Sequence, residues 1–304
     1  MLPVPLIITV CFFIEIIGCI LYTAFIVFLA CNKQTSVKNP FFKFFIATGI
    51  AGILVVSTFW LPNIARYLPA RKESPADVAF VYIGQISVGS SLYWYTFGKY
   101  LIMFHRFHVL ANPGKSSSEW SSRTTTIMIT CQFVLPTIPN LHYIIFPPIN
   151  WTNGAFDGLD NATGSIVRTT AGIFYAIFAI ISVPLNIFVY LRLRKLSQSS
   201  VAFYKEQRSL VIYTIASTST HLLIAVHQFV WAYVFFVGAR EALIIMRDSK
   251  LIVCDIATFV DPIILLILSK QVRRAIGHRV FGPPRTARGT TTQSTVALDR
   301  LYRP

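Results

Sequence analysis

The sequence predicts an all-α membrane protein: a seven-transmembrane helix bundle, N-terminus outside, with a short amphipathic helix after the seventh span. Three observations carry that expectation. Apolar residues gather in seven long stretches. Hydrophobic residues make up 54% of the 304-residue chain and charged residues 13%. The basic residues fall almost entirely in every second gap. A helix needs about 20 residues to cross a hydrocarbon layer of about 30 Å, and it satisfies its own backbone hydrogen bonds where lipid offers none. Apolar residues run around most of each circumference, whereas a membrane β-barrel would alternate.

Nineteen of the 27 Lys and Arg residues lie in segments 32–43, 105–123, 192–208 and 270–304. Seven lie in 66–78, 147–169 and 238–250, and Lys99 falls inside a span. Positive charge resists translocation, so the richer set of loops is expected to be cytoplasmic. Subtracting Glu119, Glu206 and Asp299 leaves that face at +16, and subtracting six acidic residues leaves the opposite face at +1. The net charge of +15 is therefore no nucleic-acid signature. It belongs to one membrane face, suited to anionic lipid headgroups and acidic partner surfaces.

Span one covers about Pro5–Cys31. It lacks a basic leader region and exceeds the apolar core of a signal peptide, so a retained helix is expected, with only a few residues outside it. Span two is about Phe41–Leu68, with Pro62 expected to kink it. Span three is about Val78–Phe104, and span four about Thr124–Phe146, including Pro136 and Pro139. Span five is about Thr170–Leu191 with Pro184, span six about Ser209–Val237, and span seven about Leu251–Ser269 with Pro262. The absence of internal repeats speaks against an inverted-repeat transporter. All five cysteines lie in or at the ends of spans, so they read as small packing residues and not as a disulfide framework.

The loop after span four carries the sequons Asn150-Trp-Thr152 and Asn161-Ala-Thr163. Two in one loop, on the face already expected outside, make Asn150 and Asn161 candidate glycosylation sites. Beyond Ser269, Val272, Ile276 and Val280 form one helical stripe interleaved with Arg273, Arg274 and Arg279, an amphipathic helix expected on the inner leaflet. The division is a seven-transmembrane domain over 1–281 and a disordered, Thr-rich cytoplasmic tail over 282–304, either a phosphorylated regulatory segment or merely solvated.

Four acidic or Lys/Arg residues fall inside spans: Glu15, Lys99, Asp255 and Asp261. Such charges cost about 3 kcal/mol to insert and normally face a partner within the bundle. Lys99 stands seven residues from Arg106 and Asp261 eight from Ser269, about 10 and 12 Å from the same end at 1.5 Å per residue. An intramembrane Lys99–Asp261 ion pair is the expectation; the alternative is that Asp261 caps the break at Pro262 while Lys99 snorkels. Span three also offers Gln85 and Tyr93 on one face, and span six His221, Gln228 and Trp231. These are candidate ligand-binding residues in the outer half of the bundle, although each could equally hydrogen-bond a neighbouring helix. No metal site, cofactor motif, hydrolase elbow or phosphate-cradling loop occurs.

The inner end of span three reads Phe104-His105-Arg106-Phe107, continuing through Asn112-Pro113 to Trp120. With Leu191-Arg-Leu-Arg-Lys-Leu196, Lys205-Glu-Gln207, Asp255-Ile-Ala-Thr258 and Asp261-Pro-Ile-Ile-Leu265, it resembles the nematode serpentine chemoreceptors of the class gamma superfamily, class V branch. The resemblance covers residues 1–281. It implies a chemosensory G-protein-coupled receptor in the plasma membrane of sensory neurons, with a small-molecule ligand, a heterotrimeric G protein and membrane lipids as partners and no enzymatic activity. Arg106 would then gate the G-protein pocket, with Arg192, Arg194, Lys195, Lys205, Arg208, Arg273 and Arg274 around it. Asp261-Pro262 would serve as the span-seven hinge and Pro184 as the span-five proline. His105 stands where an acidic residue is usual, span six lacks its proline, span four its tryptophan, and the usual outer cysteine pair is absent. A transporter or ligand-gated channel is the alternative reading.

Overall fold

The computed structural model describes residues 6–31, 39–67, 74–112, 120–140, 149–152, 155–159, 161–196, 201–269, 272–273 and 276–277. Seven helices follow in order: α1 Leu6–Cys31, α2 Pro40–Tyr67, α3 Pro75–Ala111, α4 Ser122–Val134, α5 Asn161–Leu196, α6 Val201–Val237 and α7 Arg240–Leu268. A 3₁₀ helix, Leu135–Asn140, continues α4, and two strands, β1 Ile149–Thr152 and β2 Ala155–Leu159, precede α5. Helices α1, α2, α5, α6 and α7 are long and apolar enough to cross a membrane by composition alone. Helix α3 is as long as α6, 37 residues each or about 55 Å, and carries Lys99 and Arg106 along its course.

Local chemistry sets the boundaries. Ser74 caps α3 by accepting from Asp77 N at 3.4 Å, and Pro75 occupies the first turn, where its missing N–H costs nothing. Ser121 caps α4 by accepting from Thr124 N at 3.0 Å. Helix α4 stops at Val134, well short of the Phe146 expected from hydropathy. Pro136 and Pro139 cannot donate into an α-helical ladder, and the chain tightens into the 3₁₀ turn instead. Between α6 and α7, Gly238 takes φ 71°. Its N–H reaches Phe235 O at 3.2 Å while Ala239 N reaches Val234 O at 3.4 Å, closing a Schellman cap that reverses the chain in two residues.

Several helices run beyond the expected spans. Helix α5 begins at Asn161, nine residues before Thr170, and α7 begins at Arg240, eleven before Leu251. Arg168 and Lys250, read as loop residues from hydropathy, are therefore helical. The loop after α4 is also more ordered than expected, since β1 and β2 pair antiparallel with Ile149 opposite Leu159 and a register shift at Asn150/Trp151. Past Leu268, helical backbone is described at 272–273 and 276–277 alone. Val272 is buried in the core and Ile276 packs against it, so this part of the apolar stripe faces the bundle. Arg274, Val280 and residues 282–304 lie outside the described residues.

Helix α3 touches α2, α4, α5 and α6 and forms the middle of the bundle, while α1 packs on α2 and α7 at the rim. The exposed Phe13, Ile14, Ile17, Ile20 and Leu21 of α1 present an apolar surface that suits lipid. Two large apolar clusters fill most of the interior, beside a smaller one of Leu110, Val189, Leu193 and Val211. One joins Val55 and Phe59 to Leu92, Tyr93, Tyr175, Ile224 and Leu251, towards the hairpin end. The other joins Tyr22, Leu29, Phe41, Phe44 and Phe45 to Ile102, Tyr213 and Leu265, towards the end that carries Arg106.

Close packing of α3 depends on small residues. A Cβ at Gly98 would collide with the Thr48 hydroxyl of α2 and the Gln132 amide of α4, whereas a Cβ at Gly277 would meet nothing within 4 Å. Gly98→Val is expected to destabilise the bundle by about 1–3 kcal/mol, the usual penalty for overpacking, while Gly277→Ala leaves it unchanged. Thermal unfolding of the purified protein in detergent micelles reads the difference.

Candidate functional site

The most connected polar group in the interior sits between the two apolar clusters. Lys99 Nζ of α3 lies 3.0 Å from Asp261 Oδ2 of α7, with both side chains at most 3% exposed. Tyr95, one helical turn from Lys99, donates its hydroxyl to the same Oδ2 at 2.7 Å and also contacts Ala257 O. Lys99 further donates to Ala257 O and to Thr220 Oγ1 of α6, each at 3.2 Å, and lies 4.5 Å from the Tyr95 ring centroid. Three helices thus converge on one ammonium and one carboxylate. Ala257 O is a helical carbonyl whose usual donor, four residues on, would be Asp261 N; it accepts side-chain hydrogen bonds in addition, next to Pro262.

Further polar contacts tie neighbouring helices. Trp60 of α2 donates its indole N–H to Glu15 Oε2 of α1, and the Glu15 carboxyl lies beside that of Asp255 of α7. Asn186 Nδ2 of α5 donates to Thr218 Oγ1 of α6 at 2.9 Å. Each of the four charged residues of the spans consequently meets another polar side chain, as burial in hydrocarbon requires.

Towards the hairpin end, a narrow cleft opens between α3, α5, α6 and α7. Helix α3 supplies Gln85, Val88, Gly89, Leu92 and Tyr93; Asn140 closes one side; α5 supplies Val167, Arg168, Ala171 and Tyr175; Gln228 and Lys250 complete the wall. Three of the expected ligand-binding residues, Gln85, Tyr93 and Gln228, therefore line one cavity. Trp231 stands beside it, with Arg168 stacked 3.9 Å and Lys250 5.3 Å from its ring centroid. His221 does not reach the cleft. It lies deeper, its ring 5.7 Å from Tyr95 and 5.0 Å from Phe178, and Nδ1 donates to the Ser217 carbonyl at 3.3 Å. Seven residues separate it from Gln228, and the same helix face at about 10 Å greater depth meets the polar hub instead. The two cations of the cleft, Arg168 and Lys250, were missed by the sequence reading because both lie just outside the apolar stretches.

At the opposite end Arg106 is 1% exposed, its guanidinium 4.1 Å from the Phe41 ring centroid. His105 is equally buried, held between Phe44 and Trp120. Trp120 donates its indole N–H to His108 Nδ1 at 3.1 Å and packs on Phe44 and Phe104, binding the segment after α3 to α2. Arg192 donates to Leu110 O at 3.3 Å, joining α5 to the end of α3. Arg194, Lys195, Arg208 and Arg273 are exposed on this end. Arg273 donates to Leu266 O at 3.2 Å and to Ile267 O, carbonyls that the end of α7 leaves open. The Lys205 and Arg274 side chains lie outside the described residues, as do those of Asn150 in β1 and Asn161 at the start of α5. Among the described residues no three His, Cys, Asp or Glu side chains group as a metal site.

The family model of the serpentine type 7TM GPCR chemoreceptor Srv matches residues 10–282. No curated protein matches the chain.

Removing one member of a buried ion pair strands the other charge and typically costs about 3–5 kcal/mol, while replacing both with apolar residues is far better tolerated. Asp261→Leu and Lys99→Met are each expected to lower the unfolding temperature and the amount of protein at the cell surface. The double variant Lys99→Met/Asp261→Leu should recover most of both. A double variant as unstable as the sum of the singles would show that the two charges do not depend on each other.

Proposed function

Since the chain belongs to the serpentine type 7TM GPCR chemoreceptor family Srv, we propose that it is a chemosensory receptor of the plasma membrane of sensory neurons. A small ligand enters the cleft at the hairpin end, which is the outer face, and a heterotrimeric G protein docks on the basic end. The observation that carries this reading is the position of the Lys99–Asp261 hub. It joins α3, α6 and α7 between the Tyr93–Lys250 cleft and the Arg106 end, so any shift of those helices around a ligand is felt at both.

With Arg106 buried against Phe41, that guanidinium is not presented to a partner. A ligand that binds an open arrangement better than the closed one shifts the population towards it, by tenfold for each 1.4 kcal/mol or so of differential affinity. Opening would bring Arg106 to the surface beside Arg192, Arg194, Lys195, Lys205, Arg208, Arg273 and Arg274, a basic rim complementary to acidic partner surfaces. The charge asymmetry between faces and the two sequons support the orientation, with Asn150 and Asn161 as glycosylation sites on the outer side.

Expression of the full chain with a cytosolic G-protein reporter and an odorant panel tests the reading. Arg106→Ala, at matched surface expression, is expected to abolish ligand-dependent coupling; unchanged coupling contradicts the role of Arg106. On the same cells, glycosidase treatment should shift the mobility of the wild type, and the shift should disappear in Asn150→Gln/Asn161→Gln.

A further inference from the structure

Lys250 is the most anomalous charge in the bundle. It is 4% exposed, yet among the described residues the single ion pair is Lys99–Asp261. Its Nζ lies 3.9 Å from the Phe59 ring centroid and 5.3 Å from that of Trp231. Aromatic faces attract a cation through the ring quadrupole, but they accept none of its three N–H bonds in the way an oxygen does. The charged group that faces Lys250 is Arg168, another cation, stacked on the same Trp231 ring. Among the described residues no carboxylate pairs with Lys250, which lines the cleft with its ammonium buried.

The wall around it narrows the chemistry of an occupant. Val88, Leu92, Ala171 and the rings of Tyr93 and Tyr175 make most of the surface apolar, and Gln85, Gln228 and Asn140 bring amides to it. The Gln228 side chain is 1% exposed and its Oε1 has no hydrogen-bond partner, so a polar atom aimed into the site awaits a donor or a rotated amide. An inorganic dianion would leave the apolar wall unused, and a cation would meet Lys250 and Arg168.

We propose that the cleft takes a compact organic carboxylate, its anionic head against Lys250 with Arg168 beside it and its apolar body against Tyr93, Tyr175 and Leu92. The carboxylate supplies the acceptors that the ammonium lacks. The neutral amide of the same acid supplies the shape without the charge. This inference rests on the cleft being the ligand site of the receptor reading, but binding itself requires no G protein.

The test uses the purified full chain in detergent micelles and follows its unfolding temperature with acetate, butyrate, isovalerate, hexanoate and benzoate. Each acid is paired with its primary amide and with sodium chloride at equal ionic strength. At least one carboxylate is expected to raise the unfolding temperature with a saturating dose dependence, while its amide and the chloride control do not. Lys250→Gln is expected to weaken that effect by about 10- to 100-fold in apparent affinity, the loss typical of a charge-assisted hydrogen bond, and Lys250→Arg to keep it. If Lys250→Gln fails to fold, the acid and amide arms on the wild type decide. No carboxylate effect across the panel, an equal effect of the amides or of chloride, or an undiminished effect in Lys250→Gln overturns the proposal. Carboxylate binding with a silent reporter would leave the proposal standing and count against the signalling reading instead.

Discussion

A lysine and an aspartate at the same depth of a hydrocarbon layer leave the bundle little choice of arrangement. Either charge alone would have to be driven out to the membrane surface or neutralised, so α3 and α7 must approach until Lys99 and Asp261 meet, at 3.0 Å. Everything near the middle of the molecule follows from that requirement. Tyr95 and Thr220 supply the hydrogen bonds that the pair still needs, and apolar clusters close over it towards both ends. In so apolar a setting the pair is weak evidence of net stability, because desolvation opposes the attraction. What it does provide is a unique relation between two helices that share few other polar contacts.

The two ends differ in how their cations are treated. At the basic end, Arg106 is covered by Phe41, and His105 is wedged among aromatic rings. At the hairpin end, Lys250 and Arg168 stack on aromatic rings at the border of an open cleft. Aromatic residues thus hold positive charge at both ends, and at the hairpin end a narrow cleft lies beside it. On the proposed receptor reading, ligand at one end would expose a cation at the other through the polar connection between them.

Much of this was legible in the sequence. The seven-helix architecture follows from hydropathy, and the meeting of Lys99 and Asp261 from the helical rise alone, because only four charged residues lay in the spans and two shared a depth. Gln85, Tyr93 and Gln228 were found from their spacing on helix faces, while His221 shares a face with Gln228 but not its depth. The missing cations have a different cause. Hydropathy ends a span where charge begins, so Arg168 and Lys250 fell into loops although α5 and α7 continue through them. The hairpin signal was also present in plain view: Asn153-Gly154 between Ile149–Thr152 and Ala155–Leu159 is the strongest short-range hairpin sequence. The early end of α4 was similarly encoded by Pro136 and Pro139.

In the proposed receptor cycle the Lys99–Asp261 hub holds the helices around the basic end together. Pulsed electron resonance between spin labels at Ser122→Cys of α4 and Arg208→Cys of α6, both exposed positions near that end, measures it directly in a background without accessible native cysteines. The wild-type hub should give one narrow distance distribution, and Asp261→Asn should add a longer, broader population as α6 separates from the rest of the bundle. An identical narrow distribution in the folded Asp261→Asn protein would contradict the account.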